Sequence, residues 1–161
     1  MIRTISCKAL VFLAGALGMA GVAWSADATS PLAGKWVLNV AKSTFDPPPA
    51  LKSNVFVITE APSGAIHQTV DYVEDNGNAT HMELTTAFDG KEVPVTGGGE
   101  ADSVIATQPK PGRFHYVFKK AGKWVESATF HVSADGKSLR GWIHGVDTQG
   151  KWKYHYVFDR Q

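Results

Sequence analysis

A single cysteine, Cys7, stands among 161 residues, and it precedes an apolar stretch at the extreme N-terminus. Past that stretch there is no cysteine, so stability must come from burial and a closed hydrogen-bonded sheet rather than from disulfides. Charge of one sign is lacking as well: 16 Lys and Arg face 15 Asp and Glu, interspersed along the chain. Such a balance argues against nucleic acid or an anionic membrane surface as the main partner. No G-x-S-x-G nucleophile elbow is present. H-x-H and H-x-x-x-H pairs for a metal are missing too, and Gly97-Gly98-Gly99 lacks the Lys-Ser/Thr that completes a phosphate loop. No cofactor and no metal site is expected, and nucleotide chemistry has no support.

What is present begins at the N-terminus. Arg3 and Lys8 lead into an Ala- and Gly-rich apolar run from Ala9 to Val22, and Ala23-Trp24-Ser25 places small residues where a signal peptidase reads them. The run falls short of the roughly 20 residues a spanning helix needs, so stable membrane insertion is not expected. The expectation is a signal peptide over residues 1–25, one domain over residues 26–161, and a periplasmic or secreted product. A second small-x-small site, Ala26-Asp27-Ala28, would instead start the mature chain at Thr29.

Beyond the signal, helical periodicity is nearly absent. Short runs rich in Val, Ile, Thr, Phe, Tyr and Trp alternate with Gly, Asn and Asp turn signals about every ten residues, the pattern of an all-β meander. Strands are expected at 34–40, 54–60, 65–74, 79–88, 91–96, 102–108, 113–119, 123–132, 138–146 and 151–159. The longest break, residues 41–51 with Pro47-Pro48-Pro49, is expected to cover one barrel end and to hold a short helical turn at 41–45.

Turn chemistry sets which side chains share a face, because a one-residue slip inverts a strand. Lys120-Ala121-Gly122 reads as a three-residue hairpin, pairing Lys119 with Lys123 and Tyr116 with Glu126. A turn at Asp135-Gly136 puts Val132 beside Leu139 and Phe130 beside Gly141. A four-residue loop before Lys151 puts Gly141 beside Tyr156 and Ile143 beside Tyr154. These hairpins agree on an interior face of Phe114, Tyr116, Phe118, Trp124, Glu126, Ala128, Phe130, Val132, Leu139, Gly141, Ile143, Trp152, Tyr154, Tyr156 and Phe158. His115, His144 and His155 fall on the opposite, solvated face. Earlier, Met82, Leu84, Thr86 and Phe88 are expected to face Val93 and Val95 across Asp89-Gly90, on the same side as Ile66, Gln68, Val70 and Tyr72.

Within the interior set, Phe114, Tyr116, Phe118, Trp124, Glu126, Phe130, Trp152, Tyr154, Tyr156 and Phe158 are the candidate ligand-binding residues, and Gly141 is read as leaving room among them. Glu126 is the sharpest candidate, since a carboxylate among aromatics is costly unless paired or protonated and its pKa should rise on burial. If the chain is an enzyme, Glu126 and Tyr116 are its candidate acid/base pair. The competing reading makes Glu126 a satisfied structural group and the aromatics a filled core.

Gly34-Lys35-Trp36 in the first strand, the meander, and the ending Tyr156-Val157-Phe158-Asp159-Arg160 resemble the calycin barrels, the lipocalins and fatty-acid-binding proteins. Runs such as Ala41-Lys42-Ser43, Phe45, Phe88-Asp89-Gly90-Lys91 and Pro94-Val95-Thr96-Gly97 resemble small uncharacterised secreted bacterial proteins with a lipocalin-like domain. The resemblance implies an up-and-down antiparallel meander closed into a lipocalin-like or fatty-acid-binding-protein-like barrel of about 8–10 strands. It also implies that Trp36 packs across the closed end against a basic partner, Arg160 or Arg140. The carboxylate-holding Arg-x-Tyr pair of fatty-acid-binding proteins has Tyr156 and Phe158 at the matching positions, so a neutral or aromatic ligand fits better than a fatty acid.

Three functions follow as expectations. The first is an exported protein that sequesters or carries a small apolar, aromatic or lipid-like ligand in the barrel. The second is a barrel isomerase, cyclase or hydratase using Glu126, and the third an envelope interaction module whose outer face presents Trp142 to a partner protein.

Overall fold

A computed structural model describes residues 30–48, 51–97 and 99–161. The expected signal peptide, Pro49 and Gly98 lie outside the described residues. Strands run in sequence as β1 Gly34–Leu38, β2 Thr44–Asp46, β3 Leu51–Glu60, β4 Ile66–Glu74, β5 Ala79–Thr86, β6 Asp89–Gly97, β7 Ser103–Lys110, β8 Arg113–Lys120, β9 Lys123–Val132, β10 Ser138–Asp147 and β11 Gly150–Arg160. From β3 to β11 each strand pairs antiparallel with the next, and β1 pairs with both β3 and β11 to close the sheet. The alternation that predicts these strands also builds the core. In β8, Phe114, Tyr116 and Phe118 are buried while His115 and Lys119 face outward, as a period of two requires.

The first expected strand, 34–40, ends at Leu38, and the helical turn expected at 41–45 falls at 40–42, with a short unexpected strand at 44–46. After the 3₁₀ turn at Val40–Lys42, β2 pairs with β11 through Phe45 and Tyr154, so β1 and β2 lie along the same edge of β11. One backbone bond and one side chain splice the gap: Asn39 N donates to Val157 O at 2.7 Å, and Val157 N donates to Ser43 Oγ at 3.0 Å. No β11 backbone group at the interruption is therefore left without a partner through loss of the strand. Counting β1 and β2 as one broken strand gives a ten-stranded barrel.

One end of the barrel is closed by Trp36. Its side chain is fully buried, Nε1 donates to Leu32 O at 2.8 Å, and the Arg160 guanidinium lies 4.3 Å from the ring centroid. Arg160, not Arg140, is thus its basic partner. Arg160 Nη1 also donates to Ala33 O at 3.0 Å, tying the chain end to the segment ahead of β1.

The hairpin joining β8 and β9 departs from expectation. Its turn has two residues, Ala121 and Gly122, both at positive φ (49° and 74°), and Lys120 pairs with Lys123. A bulge follows: Lys119 pairs with Trp124, and Phe118 with Glu126. The extra residue restores the inward direction of Glu126, Ala128 and Phe130 but leaves Trp124 outside, where it is 42% exposed and donates from Nε1 to Ser127 Oγ at 2.8 Å. Trp124 is therefore not an interior residue. Tyr116 stands opposite Ala128 rather than Glu126.

The β9–β10 and β10–β11 pairings fall in the expected register, with Val132 at Leu139 and Gly141 between Phe130 and Tyr156. Across Asp89-Gly90 the pairing is wider than expected: Leu84 meets Val95, while Asp89 pairs onward with Thr107 of β7. Phe88 turns at a positive φ of 55° and packs its ring on Phe114 and Tyr116, at centroid separations of 5.0 and 5.6 Å.

Candidate binding cavity

Opposite the Trp36 end, the barrel interior is not filled. A cavity of about 240 Å³ lies among β3, β4, β5 and β8 to β11, with the loop before β7 at its rim. Its apolar wall comes from Phe56, Val70, Met82, Phe118, Ala128, Phe130 and Ile143, inward positions spaced by two along their strands. Trp152, Tyr154 and Tyr156 of β11 form a stacked column on one side, with centroids 4.8 Å and 5.9 Å apart and rings within 23° and 22° of parallel. The column is possible because Gly145 lacks a Cβ. One built there would come within 2.5 Å of the Trp152 ring.

Of the candidate ligand-binding residues, Tyr116, Phe118, Glu126, Phe130, Trp152, Tyr154 and Tyr156 line this space. Phe114 and Phe158 do not; they are buried in the core with exposures of 1% and 0%. Trp124 is on the outer surface. The space above Gly141 is taken by Phe130, whose Cε1 would lie 2.5 Å from a Cβ at that position, so this glycine admits a ring rather than a ligand.

The polar groups inside are few. Tyr116 OH donates to Gln68 Oε1 at 3.1 Å, both residues being buried, and burial raises the pKa of the phenol. The expected Tyr116–Glu126 partnership is thus replaced by Tyr116–Gln68. Asn54 is 5% exposed, and its Oδ1 has no hydrogen-bond partner among the described residues. Glu126 keeps partial exposure toward the mouth yet is ringed by protein. Burial first, and then the Glu100 carboxylate, push its carboxyl up to about 7. Burial likewise holds Tyr156 well above its ordinary value, with the Glu126 charge adding to it.

Several lining residues escape the sequence reading. Asn54 sits in phase with the inward positions of β3, and Glu74 extends the expected Gln68, Val70, Tyr72 series of β4 by one more step, so strand alternation could have found both. Asp147 likewise ends the inward Leu139, Gly141, Ile143, Gly145 series of β10, whereas Glu100 comes from the connection before β7, where no periodicity marks a direction. On the outside, His115 bonds Thr129 Oγ1 through Nδ1 at 3.0 Å, while His144 and His155 lie against Trp124 and Trp142. Among the described residues no cluster of His, Cys, Asp or Glu has the spacing to hold a metal.

No family model matches the chain, and no curated protein does. Among solved structures, the crystal structure of zebrafish ileal bile acid-binding protein complexed with cholic acid matches over 82% of this chain and 100% of that one, at 14% identity and a TM-score of 0.50. At that identity the likeness is one of fold. This chain is an all-β antiparallel meander closed into a ten-stranded barrel of the fatty-acid-binding-protein and lipocalin kind.

Proposed function

We propose that this protein is exported and binds a small, largely apolar molecule in its barrel, to sequester or carry it in the periplasm or outside the cell. The observation that carries the binding reading is the unfilled cavity, walled by aromatic and aliphatic side chains and open at one end. A packed barrel has no reason to keep Trp152, Tyr154 and Met82 only partly buried around a void. The bound cholic acid of the zebrafish protein lends support, because it is a ligand in a barrel of the same fold. Export is supported by Arg3, Lys8, the run from Ala9 to Val22 and the small residues at Ala23 and Ser25.

Native mass spectrometry of protein recovered from the secreting cell tests both parts. The expected result is a chain starting at Ala26 or Thr29 that carries added mass released by organic extraction. An intact N-terminus in the exported fraction would overturn export, and a ligand-free barrel that takes up no apolar fluorophore would overturn binding. Acid/base catalysis on the bound molecule is a second reading, favoured by a Glu126 carboxyl that titrates near neutrality inside the cavity. It requires Glu126→Gln to abolish turnover of a bound compound that the variant still binds.

A further inference from the structure

The charged groups around the cavity are all of one sign. Glu74, Glu100, Glu126 and Asp147 line it, and no Lys, Arg or His does among the described residues. Overall composition cannot account for this, since basic and acidic residues are nearly equal in number. Nor are these carboxylates neutralised by neighbours. The ion pairs of the described residues engage Asp46, Asp71, Glu83, Asp89, Glu92 and Asp159, and none of the four. Glu74 is bonded by the side-chain amides of Asn76 and Asn78, and Asp147 by the Gln149 and Gly150 backbone N–H groups, contacts that leave net charge in place.

A second observation points to the same chemistry. Asn54 is buried and lines the cavity, and its Oδ1 lacks a donor. A buried acceptor without a partner costs about 1–3 kcal/mol unless something supplies an N–H or O–H. The Trp152–Tyr154–Tyr156 column, its rings stacked on one another, gives an aromatic wall on the same cavity. A bound carboxylate would meet like charge from the four acidic side chains, with only neutral tyrosine, indole and amide donors and no Lys, Arg or His to offset it among the described residues.

We propose that the cavity selects a compact organic cation, an aromatic or alkyl primary or secondary amine. Its ammonium meets the mouth carboxylates and donates to Asn54, and its apolar body lies against Phe56, Phe130 and Ile143. The inference rests on the binding reading above and narrows it to a ligand class. It sets this barrel apart from one that holds an acid through buried basic residues. Because burial and Glu100 hold the Glu126 proton to about neutral pH, a bound cation displaces that proton, and affinity rises as pH rises through about 7. The other titratable groups facing this region are Tyr72, Tyr116, Tyr154 and Tyr156, whose pKa values burial raises, together with Glu74, Glu100 and Asp147.

Three probes with one aromatic body test this on the purified protein: naphthylmethylamine, naphthylmethanol and naphthylacetate, titrated by fluorescence at pH 6 and pH 8. The expected order is amine, alcohol, acid, with the amine about tenfold or more tighter than the alcohol at pH 8 and its margin smaller at pH 6. Glu126→Gln should bring the amine-to-alcohol ratio toward one and remove its pH dependence. Glu100→Gln, at an exposed rim position, should lower the ratio by less and keeps the test open if the Glu126 variant folds poorly. Equal binding of all three probes, or preference for the acid, would overturn the amine assignment while leaving the binding reading standing. Saturable binding of none of them would overturn both.

Discussion

Glu126 concentrates the physics of this barrel in one side chain. It points inward because the β8–β9 bulge turns it inward, and the closed sheet then keeps most water from its carboxyl. A carboxyl raised from 4.5 to about 7 favours the protonated folded state. Its stabilising contribution is therefore fully present below about pH 4.5 and lost as pH rises through about 7. The whole effect amounts to at most about 3 kcal/mol and is reduced by solvent at the mouth. Urea unfolding of wild type and Glu126→Gln should give similar stabilities at pH 4.5, with the variant gaining on wild type by pH 8. A constant difference across that range would mean an ordinary carboxylate. Gly141 teaches the opposite lesson at the same scale. Read in sequence it suggested room for a ligand; in the fold it makes room for the Phe130 ring.

Among elements, the β8–β9 hairpin decides the most. Alternation placed Phe114, Tyr116, Phe118, Ala128 and Phe130 inside correctly, because each strand carries its own period of two. It placed Trp124 wrongly, because a bulge adds a residue that no periodicity encodes. The turn itself uses Ala121 at a φ of 49°, a left-handed conformation that costs a Cβ-bearing residue about 1 kcal/mol and that Asn tolerates better. Ala121→Asn should raise the denaturation midpoint by an amount worth about 0.5–1 kcal/mol, with ligand affinity unchanged. A loss of stability would show that the native turn is not strained at that residue. The β1–β2 break follows similar logic. The sequence shows a break over residues 41–51 with three prolines; only the pairing of both β1 and β2 on β11 shows that residues 39–43 between them are bridged.

Closure governs the whole molecule. With a single cysteine near the N-terminus, the barrel depends on β1 holding β11 to β3, and Arg160 stands over that joint, stacked on Trp36 and bonded to Ala33. Arg160→Ala should cost about 1–2 kcal/mol, measurable by thermal or urea unfolding. Arg160→Lys should recover only part, because an ammonium cannot lie flat on the indole while holding the carbonyl. An unchanged midpoint in both variants would mean that the burial of Trp36 alone seals this end. The opposite end stays open, and there the ends of β4 and β10 and the connection after β6 bring Glu74, Asp147 and Glu100 to the same cavity as Glu126.

The residues by themselves determined the strand class, the inward set of β8, β10 and β11, and the reliance on packing rather than cross-links, because alternation, turn chemistry and cysteine content are local properties of the chain. Only the tertiary structure decided that Trp124 faces outward, that Tyr116 serves Gln68, that Phe114 and Phe158 fill the core, and that four acidic side chains share one mouth. Those outcomes depend on a bulge and on barrel closure, which bring together groups from different hairpins that no local pattern relates.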